Sequence, residues 1–92
     1  MLINSKTINI TLSPGSWTGS SVPYSYVISN SNITTDNICD LIFNPNSQQL
    51  VDALSDAEIS GYLQESGKIT IYSWGEKATI DIPIILIVRG GI

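Results

Sequence analysis

Between residues 68 and 88, isoleucine recurs at alternate positions in two runs. Ile69 and Ile71 lie in KITIYSW, and Ile80, Ile82 and Ile84 lead to Leu86 in ATIDIPIILIV. A period of two sends successive side chains to opposite faces of an extended chain, so each run is a strand with one face in a core. Residues 7–12, TINITL, repeat the pattern with Ile8, Ile10 and Leu12. YSYVIS (24–29) places Tyr24, Tyr26 and Ile28 on one face, and ICDLIF (38–43) reads as a mostly buried strand. EISGYLQ reads as a short strand with an irregularity at Gly61. Only NSQQLVDALSDA has helical spacing, through Leu50, Val51 and Leu54, with Asn46 or Ser47 as the N-cap. The expected fold is all-β, a mainly antiparallel β-sandwich of about six or seven short strands with one short helix near 47–57. Residues 1–92 read as a single domain, without linker or internal repeat.

The last two strands suggest a hairpin. Pairing Ile71 with Ile82 sets Ile69 opposite Ile84 and closes the turn through Glu76-Lys77 or a loop from Gly75 to Ala78. That register sends Tyr72, opposite Asp81, and Trp74, opposite Thr79, to the outer face. Pro83 within its strand suggests an edge or a bulge. Beyond it Ile84–Val88 is apolar on both faces, as in a sandwich-core strand or a subunit interface.

Composition excludes most catalytic chemistry. The chain has no histidine, and Cys39 is its one cysteine. That removes histidine-based triads, cysteine–histidine zinc spacing and any intrachain disulfide. No glycine-rich phosphate loop or nucleophile elbow occurs. No catalytic residue, metal ligand or cofactor is therefore assigned, and the protein is expected not to be an enzyme. Asp52, Asp56 and Glu58 read as the solvated side of the helix, and Asp36 beside Asn37 as a turn in preference to a calcium site. Net charge is −4, and the cations Lys6, Lys68, Lys77 and Arg89 are scattered, which argues against nucleic acid. MLINSKTINI lacks the features of a secretory signal, so two glycosylation-type triplets, Asn9-Ile10-Thr11 and Asn32-Ile33-Thr34, are expected to stay unmodified. IPIILIV is too short to span a bilayer, and no membrane contact is expected.

The aromatics remain. Trp17 lies in SPGSWTGSSVPYSY, where it reads as a cap over an open end of the sandwich, its indole N–H bonded to a backbone carbonyl. The sharper alternative makes Trp17 and Tyr24 a glycan-binding platform. Tyr72 and Trp74, outside by register and beside Ile85 and Ile87, are the candidate interface residues.

Several of these pieces together resemble a known module. They are Trp17 with PYSYVI, the connector ITTDN, LVDALSDAEISGYLQ, and above all SGKITIYSWGEKATIDIPIILIV. The chain resembles the small C-terminal β-sandwich module of phage and prophage tail-fibre, tail-appendage and baseplate-associated proteins of Firmicutes and related gut bacteria. That module usually ends a longer polypeptide, whereas here only residues 1–6 precede the first strand. The resemblance implies a virion structural or decoration protein at a fibre tip, baseplate or capsid surface. Made in the host cytoplasm, it would act by assembling with itself, as a trimer or dimer, and with other virion proteins. Two other classes stand beside it: a receptor-recognition module for a host cell-surface glycan, and a small phage-encoded inhibitor of a host defence system.

Overall fold

The computed structural model describes residues 5–90. In chain order the elements are β1 (Ser5–Leu12), a 3-10 turn at Pro14–Ser16, β2 (Tyr24–Ser29), β3 (Ile38–Phe43), α1 (Gln48–Ala57), β4 (Ile59–Glu65), β5 (Lys68–Ser73) and β6 (Ile82–Arg89). They form two antiparallel three-stranded sheets, β1-β6-β3 and β2-β5-β4, which close as a β-sandwich.

The period-two runs decide what lies between the sheets. From one sheet Leu12, Ile82, Ile84, Leu86, Val88 and Cys39 point inward; from the other come Tyr26, Ile28, Ile69 and Ile71. Ile69, Ile71, Ile82 and Leu86 are essentially removed from water. Each such burial stabilises the fold by roughly 1.5–3 kcal/mol before entropy is counted. Ile80, expected in the core, is only half-buried, since β6 begins at Ile82.

The expected hairpin does not form. β5 is the central strand of one sheet and β6 of the other, so Ile69 and Ile71 face Ile82, Ile84 and Leu86 across the core instead of lying beside them. The pairings of Tyr72 with Asp81 and of Trp74 with Thr79 fall with it. Inward isoleucines specify a face, and two strands sharing a core satisfy that pattern either side by side or sheet against sheet. The intervening backbone is used elsewhere. Trp74, Gly75 and Glu76 donate their N–H groups to the carbonyls of Glu58, Ala57 and Asp56 at the end of α1. The Ser73 hydroxyl, fully buried, donates to the Ala57 carbonyl at 2.6 Å. These bonds satisfy carbonyls that a helix C-terminus leaves unpaired, and they turn the chain toward the opposite sheet.

α1 starts as expected. The Ser47 side chain accepts from the Leu50 N–H, and the helix leaves through Glu58 in the left-handed region at φ 49°. Leu50, Leu54 and Ala57 pack inward while Val51 is exposed. Two further expectations change. β3 alternates instead of being mostly buried: it is an edge strand with Cys39, Leu41 and Phe43 inward and Ile38 and Ile42 exposed. Pro83 sits in a central strand, neither at an edge nor in a bulge. It is tolerated because the β3 ladder ends at Phe43–Ile84, one residue short of it. The polar connector 30–37 conceals a core residue, Ile33, which is 1% exposed. Its carbonyl accepts from the Gly67 N–H at the β4–β5 turn.

Candidate functional site

The sandwich has two outer faces, both carrying outward apolar side chains, but only one of them carries aromatic rings. On the β2-β5-β4 sheet, Val27, Thr70 and Leu63 form one row across the three strands. Ser25 and Tyr72 form the next, and Trp74 lies one residue past β5. Val27, Leu63 and Trp74 are each about half exposed, at 50%, 50% and 53%. The Trp74 position is fixed from three sides. Its backbone N–H bonds Glu58, its indole Nε1 donates to the Ser60 carbonyl at 2.9 Å, and Gly75 beside it lies tight against α1. A Cβ on Gly75 would stand inside the van der Waals envelope of the Asp56 carbonyl. Tyr72 has its ring beside Gly61, where β4 breaks register between Ile59 and Tyr62. That is the irregularity expected at this glycine.

On the β1-β6-β3 sheet the outward rows are Asn9–Ile85–Ile42, Thr7–Ile87–Asp40 and Ser5–Arg89–Ile38, with Ile38 61% and Ile42 40% exposed. Ile85 and Ile87 are half-buried. The four expected interface residues therefore do not form one patch: Tyr72 and Trp74 are on one outer face, Ile85 and Ile87 on the other. Their separation follows directly from the absent hairpin. Val27 and Leu63 were not expected on the apolar face. For Val27 the signal is an apolar residue out of phase with its inward neighbours Tyr26 and Ile28; Leu63 has no such signal, since Tyr62 before it is itself 58% exposed.

Charge is arranged similarly on both sheets. The outward strand positions carry one ion pair each, Lys68–Glu65 on the apolar face and Arg89–Asp40 on the other. The remaining charges, Lys6 and Lys77 against Asp36, Asp52, Asp56, Glu58, Glu76 and Asp81, lie off those positions. The net −4 is thus carried by residues outside the outward strand positions, with the Glu58 carboxylate beside Gly75.

Trp17 closes the side of the sandwich where β1 lies over β2. Thr18 and Ser25 exchange backbone hydrogen bonds at 2.8 and 3.0 Å, which folds the loop back and turns the indole inward. Trp17 is 4% exposed and meets Tyr26 edge-on at 5.2 Å. The Tyr26 hydroxyl in turn accepts from the Ser13 N–H at 3.0 Å. The indole does cap the core, but its Nε1 makes no hydrogen bond, contrary to the expected bond to a carbonyl. Packed this way it offers no ring face to a sugar. Tyr24 is half-buried and its ring carries the Lys77 ammonium at 4.9 Å, so the two residues do not form an open platform.

Two concavities accompany these faces. A crevice of about 300 Å³ runs between the edges of β3 and β4, lined by Cys39, Leu41, Phe43, Ile59, Tyr62 and Ile71 among others. Burial first, and the Asp40 carboxylate second, push the Cys39 thiol above its ordinary range. A groove of about 370 Å³ lies on the outer face of β1-β6-β3, against the loop entering α1. Residues 34–37 form the expected turn, in which Asn37 accepts from the Thr34 N–H and Asp36 donates its N–H to the Thr34 hydroxyl. Among the described residues no group of three or more histidine, cysteine, aspartate or glutamate side chains is placed to hold a metal. No helix among them is long and apolar enough to cross a membrane. Comparison with protein-family models, with curated proteins and with solved structures finds no match to this chain.

Proposed function

We propose that this chain is a non-enzymatic assembly protein of a virion, at a tail-fibre tip, baseplate appendage or capsid surface, and that it self-associates through the outer face of β2-β5-β4. The observation that carries the reading is the set of outward side chains Val27, Leu63, Tyr72 and Trp74, grouped around Thr70 on one sheet face. Exposed surfaces of this kind mark contacts with other proteins. Charge supports a second copy as the occupant. The strand positions of this face hold only the Lys68–Glu65 pair, so two copies that meet there bury no unpaired charge from those positions. Size is consistent too. The molecule measures 41 × 28 × 18 Å, and a broad side has room for the roughly 800 Å² per partner that a stable interface buries. The virion setting comes from the resemblance of the SGKITIYSWGEKATIDIPIILIV region to phage tail modules.

Light scattering over a range of concentrations tests the self-association. The expected result is a dimer or trimer that Trp74→Ala converts to a folded monomer. A wild-type monomer at all concentrations, or an oligomer unaffected by Trp74→Ala, would overturn the assignment of this face.

A further inference from the structure

The groove on the opposite face has a different composition, and its origin lies in the sequence of β6. Pro83 has no N–H to offer a neighbour, and the β3 ladder stops beside it at Phe43–Ile84. β3 then leaves the sheet through Asn44, Pro45 and Asn46 toward the N-cap of α1, while β1 continues alongside β6 as far as Leu12. The divergence opens a pit on the sheet face, with Ile42, Pro83 and Ile85 as apolar lining and Asn9, Thr11, Asn44 and Asn46 around it.

The four polar side chains come from β1 and from the loop after β3, and all are exposed. Nearby bonds within the protein use the Thr11 carbonyl and the Ser47 hydroxyl instead. Three carboxamides and a hydroxyl each supply both a donor and an acceptor. No ionisable side chain lines the groove, although the chain is acidic overall. Its volume, about 370 Å³, is within the span of small-ligand sites.

We infer that this groove binds a neutral saccharide. A sugar ring combines an apolar C–H face with hydroxyls that both donate and accept, which matches an aliphatic lining surrounded by uncharged amides. An anionic ligand would find no cation here, and a cationic one no carboxylate. An extended peptide would pair with a free strand edge, where backbone groups are open, in preference to a pit on the face of a sheet. This site shares no residue with Trp17 and Tyr24, and none with the self-association face.

The test follows the side-chain amide resonances of Asn9, Asn44 and Asn46 in ¹⁵N-labelled protein during titration with maltose, cellobiose, lactose and chitobiose. N-acetylneuraminic acid serves as the charged comparator. Saturable shifts of these amides with at least one neutral disaccharide are expected, weakened at least tenfold in both Asn9→Ala and Asn44→Ala. Both positions are exposed, so these variants keep the fold, and Trp74→Ala keeps the binding whether or not it alters assembly. Absence of shifts with all four disaccharides overturns the inference. So does an equal response to the acid, or a response confined to Tyr72 and Trp74.

Discussion

The two tryptophans occupy turns of opposite sequence character, and each ends where its surroundings would not place it. Trp17 lies among serines, glycines and prolines, yet it is buried against Tyr26 with its N–H unbonded. Trp74 ends an isoleucine-rich strand, yet it is half exposed with its N–H bonded to Ser60. The difference shows that local polarity does not decide burial here. What decides it is whether the backbone around the residue folds back on its own sheet, as the Thr18–Ser25 bridge does, or is drawn away, as Gly75 and Glu76 are by α1.

The largest effect should come from the residue that sets the second turn. Gly75→Ala forces a Cβ against the Asp56 carbonyl, and backbone at both ends of the clash leaves no flexible group to yield. A loss of more than about 4 kcal/mol in urea denaturation is expected, or failure to fold. Stability within about 1 kcal/mol of wild type would show that the α1–β5 clamp does not fix Trp74.

Trp17 comes next. Trp17→Ala removes a large side chain from the closed side of the core and should cost about 3–5 kcal/mol. Trp17→Phe keeps much of the volume and abandons no hydrogen bond, so a cost below about 1.5 kcal/mol is expected. Equal losses for the two variants would mean that the indole N–H is engaged after all. Trp74→Ala should change monomer stability by less than about 1 kcal/mol, because the Ser60 carbonyl it frees lies beside exposed surface. At concentrations low enough to keep the chain monomeric, acrylamide should quench Trp74 in the Trp17→Phe variant strongly, and Trp17 in the Trp74→Ala variant weakly. Matching quenching would erase the contrast between the turns.

The smallest effect concerns the crevice side. The Cys39 thiol is pushed up by burial, so the unfolded chain releases that proton first as pH rises. Its contribution is therefore complete below the ordinary thiol range and is lost progressively above it. Urea denaturation at neutral and alkaline pH should show a steeper decline for wild type than for Cys39→Ala. Parallel declines would assign the alkaline loss to other groups.

Much of the fold can be read from the sequence because alternation and capping are local. The inward sets Ile8–Ile10–Leu12, Tyr24–Tyr26–Ile28 and Ile69–Ile71 follow from period two, and the start of α1 from a serine three residues before Leu50. The candidate sites were less legible. Tyr72 and Trp74 are recognisable as outward residues, but the groove requires Asn9 and Asn44 to be neighbours. Nothing in TINITL or in FNPNS states that.

By itself the sequence determined which face of β1, β2, β5 and β6 meets the core, where the helix begins and which residue types are missing. Those depend on side-chain spacing and residue type, and both are fixed by the covalent chain. Tertiary structure alone decided that β5 and β6 face one another across the core, that Ile85 and Ile87 part from Tyr72 and Trp74, that Ile33 lies inside, and that the Trp17 N–H is left unbonded. Alternating isoleucines gain the same burial from a strand in the same sheet or in the opposite one. The choice between them is made by hydrogen bonds from distant backbone, here the carbonyls at the end of α1.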